Sequence, residues 1–226
     1  MGDYEPNDPP WTEDQWERFM QRSDARSARF GDLLETLRDH PDRDEIIARE
    51  MGWDHMLKDQ DSDESGDLDD SFDEPEPATD GLSDADWEEI SRDRDELDSI
   101  EAYSAGYQCG LNIHEALNDY FDAEDEEPDE DIDRVLSCFQ VAAKIAGGHG
   151  MGYEDDVLCA NIVCCKRALA AADESLEALE ALESLEGRDV VDPETLKSLV
   201  AEGRHVRYLV DSRIAELRSR VWWDGA

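Results

Sequence analysis

Lysine is nearly missing from this 226-residue chain: four lysines stand beside seventeen arginines and 62 carboxylates, for a formal charge of -41. A chain so short of cations repels phosphate backbones and anionic lipid headgroups, which argues against direct nucleic-acid or membrane binding. Long apolar runs are missing too. No stretch approaches the roughly 20 apolar residues that span a bilayer, and residues 1–10 are acidic and proline-bearing where a signal peptide would be basic and then apolar. A cytoplasmic chain is the expectation. The cysteines number five, which is odd, and Cys138, Cys159, Cys164 and Cys165 lie inside apolar helical patterns, as reduced core thiols do. No disulfide framework is expected, and no period-two alternation is long enough to propose a sheet.

What is present is carboxylate, with Asp outnumbering Glu 35 to 27. Acidity on this scale has two explanations. It can attract a basic partner or imitate a nucleic-acid backbone, or it can simply keep a chain solvated in a salty cytoplasm. The acids are spread over nearly every segment and not gathered on one face, which fits the second explanation.

Local signals predict helices throughout. Thr12 followed by Gln15 makes a capping box, and Trp11 with Trp16 makes a hydrophobic staple, so a helix should begin at Glu13. Its stripe runs Trp16, Phe19, Met20, Phe30, Leu33, Leu34 and Leu37 and stops before His40-Pro41. Asp42 can cap a second helix carrying Ile46, Ile47, Met51 and Leu57, which gives an N-terminal helical hairpin over residues 1–58. Residues 59–82 change character: between 59 and 80 there are eleven acids and no Lys or Arg, the composition of a disordered acidic linker.

Residues 83–226 predict an up-and-down four-helix bundle, so the fold class is all-α, a bundle with the hairpin joined through the linker. Ser83 caps a long first helix with the stripe Trp87, Ile90, Leu97, Ile100, Tyr103, Tyr107, Leu111, His114, Leu117 and Phe121. His114 on that stripe is expected as a core histidine. A second stripe comprises Ile132, Val135, Leu136, Phe139, Ala142, Ala143 and Ala146, and the glycines around His149, from 147 to 152, are expected to form a loop. The third helix has Leu158, Ile162, Cys165, Leu169, Ala172, Leu176, Leu179 and Leu182 on one face, widened by small residues, and should be buried on two sides. Asp192-Pro193 opens the last helix.

Four constellations could carry chemistry. Asp61, Asp63, Ser65, Asp67 and Asp69, with Gly66 and Leu68 between them, have oxygen donors at the first, third, fifth, seventh and ninth positions of a calcium loop, and the nine residues resemble the start of an EF-hand. The resemblance implies Ca2+ as a possible ligand. The twelfth position is Phe72 where the family has a bidentate Glu, and Pro75 and Pro77 block the helix that should follow. Glu202-Gly-Arg-His205 is the only Glu-x-x-His, whereas a dinuclear site in a bundle needs two. The thiols lack the Cys-x-x-Cys spacing of metal ligands. The glycines around His149 match neither a dinucleotide fingerprint nor a P-loop.

Aromatic residues give the remaining signal. Trp11, Trp16, Phe19 and Trp53, with Trp222 and Trp223 at the far end, exceed what a small hairpin can hide, and aromatics anchor interfaces. They are candidate partner-binding residues together with His149, whose glycines permit close approach. The function expected from these residues is a non-enzymatic acidic interaction protein, with a basic protein partner or self-association as a homo-oligomer. A divalent-metal-binding protein and a nucleic-acid mimic are the alternatives.

Overall fold

Thr12 does what its side chain predicts. Its backbone N–H donates to Gln15 Oε1 at 2.9 Å and its hydroxyl accepts the Gln15 N–H at 3.3 Å, so α1 begins at Glu13 and runs over Glu13–Thr36. The computed structural model describes residues 9–53, 55, 83–118, 130–184 and 191–223, and among these all regular structure is helical. After α1 come α2 (Arg43–Met51), α3 (Asp84–Asp98), α4 (Glu101–Ala116), α5 (Glu130–Leu136), α6 (Cys138–Met151), α7 (Leu158–Ser184) and α8 (Pro193–Arg218). None of the described helices is long and apolar enough to cross a membrane.

The chain divides into two units, Met1–Trp16 with Asp84–Ala226, and Glu17–Ser83. In the smaller unit α2 buries Ile47, Ala48 and Met51 and ends at Gly52, whose φ of 73° is the left-handed cap that glycine adopts without a steric cost. Trp53 packs its ring 5.5 Å from Phe30, and the Arg26 guanidinium lies 5.6 Å over the same indole while donating to the Met51 carbonyl at 3.2 Å. Asp42 makes no side-chain cap bond at the start of α2; its own N–H donates to His40 Nδ1 at 3.1 Å.

In the larger unit α4 packs on α6 and on α8, and α7 packs on α5, α6 and α8, so that α4, α6, α7 and α8 close a circuit. Every pairing is antiparallel, because residue numbers rise on one helix as they fall on its neighbour. Gly106 faces Val141 while Gly110 faces Phe139. Val135 takes a hydrogen bond from Ser175 while Gly148 lies on Asn161 and Cys164. Glu180 pairs with Arg204 and Asp173 with Arg207. The core between them is apolar, with Ile113, Leu117, Ile132, Ile145, Leu158, Ile162, Leu179 and Leu217 fully buried.

Four expectations fail here, each for a physical reason. The long helix from 83 breaks at Ile100, which is extended at φ -77° and ψ 104°. The carbonyls freed at the break are taken locally, by Ser99 Oγ on Glu96 at 2.6 Å and Ser104 Oγ on Asp98 at 2.7 Å. The stripe on α4 is also rotated: Ala102, Gly106, Cys109, Gly110 and Ile113 point inward, and Tyr107, Leu111 and His114 are exposed. A β-carbon on Gly106 would stand 2.8 Å from Val141 Cγ1 and one on Gly110 2.9 Å from Phe139 Cδ1, so this interface exists only because α4 shows its smallest residues to α6.

The third failure is the glycine loop, which is the last turns of α6. Glycine costs a helix about 1 kcal/mol relative to alanine, and at Gly148 close packing offsets that cost, since a β-carbon there would meet Asn161 Oδ1 at 2.7 Å and Cys164 Cβ at 3.0 Å. The helix stops at Gly152, where φ is 105°. The second stripe is broken as well, at Ser137 between α5 and α6, where Ser137 Oγ donates to the Arg134 carbonyl at 2.7 Å and lies 3.0 Å from the Ala171 carbonyl of α7.

Candidate interaction surface

Because the inner face of α4 is small at Ala102, Gly106, Cys109 and Gly110, Tyr107 and Leu111 are left outside. Tyr107 is 52% and Leu111 41% exposed. Tyr103 and Tyr107 lie nearly parallel with centroids 6.3 Å apart, and His114 meets the exposed ring of Phe139 edge-on at 6.2 Å. Helix α3 is more extreme. None of its fifteen residues is buried, and Trp87 and Ile90 are 46% and 47% exposed. Its sequence carries eight carboxylates and two arginines, so its apolar side chains stand in a strongly negative setting.

A cleft of about 540 Å3 opens beside the break between α3 and α4, lined among others by Glu96, Ile100, His149, Tyr153, Leu209 and Arg213. Its wall is ordered by Tyr153. The phenol oxygen lies 2.7 Å from His149 Nδ1 and accepts from Arg213 Nη2 at 3.1 Å, while the guanidinium carbons of Arg213 and Arg220 are 5.5 and 5.4 Å from the ring centroid. Arg213 also pairs with Glu216 at 2.7 Å. The ionic contacts are therefore spent mainly within the wall, which holds its shape.

The residues singled out in the sequence are spread over the molecule. Trp11 and Trp16, in the larger unit, lie with centroids 5.0 Å apart and flank Glu13. Glu13 is buried, accepting from Arg218 Nε at 2.8 Å and Nη2 at 2.7 Å and pairing with Lys166 at 3.3 Å. Those Arg218 hydrogen bonds hold its carboxyl below the ordinary value against the opposing effect of burial. Phe19 and Trp53 belong to the smaller unit, Phe19 exposed and Trp53 held by Phe30 and Arg26. His149 lies on the last turns of α6 in the cleft wall.

The acidic set Asp61, Asp63, Ser65, Asp67 and Asp69 lies outside the described residues, and among the described ones no group of three or more His, Cys, Asp and Glu is placed to hold a metal ion. Glu202 hydrogen-bonds Asn112 at 2.7 Å, and His205 is exposed on α8. All five thiols are free and buried, and burial pushes that of Cys165 up to about 12. A thiol so placed stays protonated and is a poor nucleophile.

The sequence pattern did not single out Asn161, a buried amide on α7 whose Nδ2 donates to the Gly152 carbonyl at 3.1 Å and whose Oδ1 accepts the Cys165 thiol at 3.7 Å. A polar residue in the middle of the long apolar run of α7 was the signal that could have found it. Comparison of the chain with protein-family models, with curated proteins and with solved structures gave no match.

Proposed function

We propose that this chain is a non-enzymatic, acidic helical interaction protein that binds a basic protein partner. The observation that carries it is the uncovered apolar surface of α3 and α4, where Trp87, Ile90, Tyr107 and Leu111 stand exposed on a chain of formal charge -41. Large apolar side chains grouped in water mark interaction sites, and dense carboxylate around them selects cationic partners and speeds their encounter.

The scaffold behind that surface is an up-and-down four-helix bundle in this proposal, with α4, the pair α5 and α6, α7 and α8 as its four members. In the same proposal α1 and α2, within residues 1–58, are the helical hairpin, followed in sequence by the acidic segment 59–82. The closed antiparallel circuit in the larger unit supports the bundle. The buried Cys165 thiol, held protonated by its burial, and the pairing of Arg213 with Tyr153 and Glu216 in the cleft wall support a role without catalysis.

Native mass spectrometry of the protein gently isolated from its source cells tests this directly. The expected spectrum contains a stoichiometric complex with a protein of high isoelectric point, dissociating as ionic strength rises because exposed charge is screened within about 8 Å at physiological salt. A chain recovered free of any partner, or with one that is acidic, would count against the proposal.

A further inference from the structure

We propose that the face of α3 formed by Trp87, Ile90 and Leu97 is the docking surface for a basic amphipathic helix of another protein. This rests on the interaction proposal above and names the face and the chemistry of the occupant. At 100° per residue the three side chains fall within an arc of roughly 80°, and ten residues of α-helix extend them over about 15 Å. That is the format in which one helix meets another, through anchors three, four and seven residues apart. Asp86 and Asp93 flank the stripe on one side and Asp98 on the other, while Arg94 falls within the arc itself, one turn after Ile90, so that a docked helix meets its apolar anchors on either side of this one cation.

Charge decides among the possible occupants. With eight carboxylates and two arginines, α3 has a net charge of 2 - 8 = -6, so two copies pairing through this face would set acid against acid. The chain's own remaining segments fare no better. Residues 1–8, 54, 56–82, 119–129, 185–190 and 224–226 contain only two cations in their sequence, Lys58 and Arg188. A foreign helix with leucines or aromatics on one face and Lys or Arg along its edges satisfies both halves of the surface. Its apolar face covers Trp87 and Ile90, and its edges meet Asp93 and Asp98.

The test uses the full chain and two fluorescein-labelled synthetic peptides of equal charge, an 18-residue Leu/Lys amphipathic helix and an oligolysine, with anisotropy read at 50 and 300 mM NaCl. Trp87→Ala with Ile90→Ala is the informative variant: α3 buries nothing, so the fold survives, which far-UV circular dichroism verifies. The expected result is at least about a tenfold loss of affinity for the amphipathic peptide, with oligolysine binding changed by no more than about twofold. Asp93→Asn with Asp98→Asn should weaken both peptides a few-fold at 50 mM NaCl and hardly at 300 mM.

If the wild-type chain binds the amphipathic peptide and the Trp87, Ile90 variant binds it equally well, this face is not the dock, and the interaction proposal stands without it. If the wild-type chain binds neither peptide at 50 mM NaCl, the basic-partner proposal itself fails. Light scattering that shows a wild-type dimer reduced to monomer by the same substitutions would make a second copy the occupant and overturn the choice of a foreign helix.

Discussion

Helices α7 and α3 both carry an apolar stripe of helical period, and they end in opposite situations. Along α7, Leu158, Ile162, Cys165, Ala168, Ala172 and Leu179 are buried, and so are Ala160, Val163 and Ala171 on adjoining positions. Three neighbours, α5, α6 and α8, press on it because alanines, cysteines and one amide leave room for close approach. On α3 the stripe is Trp87, Ile90 and Leu97 among carboxylates, and only Leu97 is half-buried, while Trp87 and Ile90 stand exposed. A hydrophobic period states that a helix has a face to cover; the size of the side chains and the charge around them decide whether a neighbour of the same chain can cover it.

Substitutions break this contrast in a definite order. Ile162→Ala, at a position of zero exposure on α7, should cost about 3 kcal/mol in urea-induced unfolding. Gly148→Ala comes next. Contacts of 2.7 Å to Asn161 Oδ1 and 3.0 Å to Cys164 Cβ resist a β-carbon. An overpacking cost of about 3 kcal/mol would outweigh the roughly 1 kcal/mol gained in helix propensity, and the thermal midpoint should fall accordingly.

Glu13→Gln tests the polar contact that fastens the first turn of α1, and the loss of its charged hydrogen bonds should cost about 1.5 kcal/mol at neutral pH. The sign of the pH effect follows from a folded carboxyl held below its ordinary value of 4.5 by Arg218. Its contribution is fully present above that value and is lost as pH falls through the lower folded one. The difference in stability between wild type and Glu13→Gln should therefore shrink in acid. The smallest effects belong to Trp87→Ala and Ile90→Ala, each expected to change stability by no more than about 0.5 kcal/mol, although they sit on a stripe of the same period as that of α7. A loss of several kcal/mol in either would show that α3 is covered in the folded chain.

Features that depend on a few adjacent residues were legible in the sequence. The Thr12–Gln15 box fixes the start of α1, and Asp192 accepts the N–H groups of Glu194 and Thr195, each at 3.1 Å, at the start of α8. The stripe of α7 was legible for another reason: most of its large apolar residues, Leu158, Ile162, Leu179 and Leu182 among them, are also buried. On α4 that identity fails. Gly106, Cys109 and Gly110 attract no notice as core residues, while Tyr107, Leu111 and His114 look like a core stripe and stand outside. The candidate surface was thus hidden among residues assigned to the interior, and the aromatics picked for binding lie in both units.

By itself the sequence determined that the described chain is helical, where α1, α3 and α8 start, and that its net charge is strongly negative. These follow from backbone capping, helical period and counted charge, none of which needs a neighbour. Only the tertiary structure decided which face of α4 is inner, that the glycines before Met151 belong to a helix, and that α3 is left uncovered. Those outcomes depend on how closely two backbones approach, and that distance is set by pairs of residues such as Gly106 and Val141, or Gly148 and Asn161, that are far apart in the chain or on different helices.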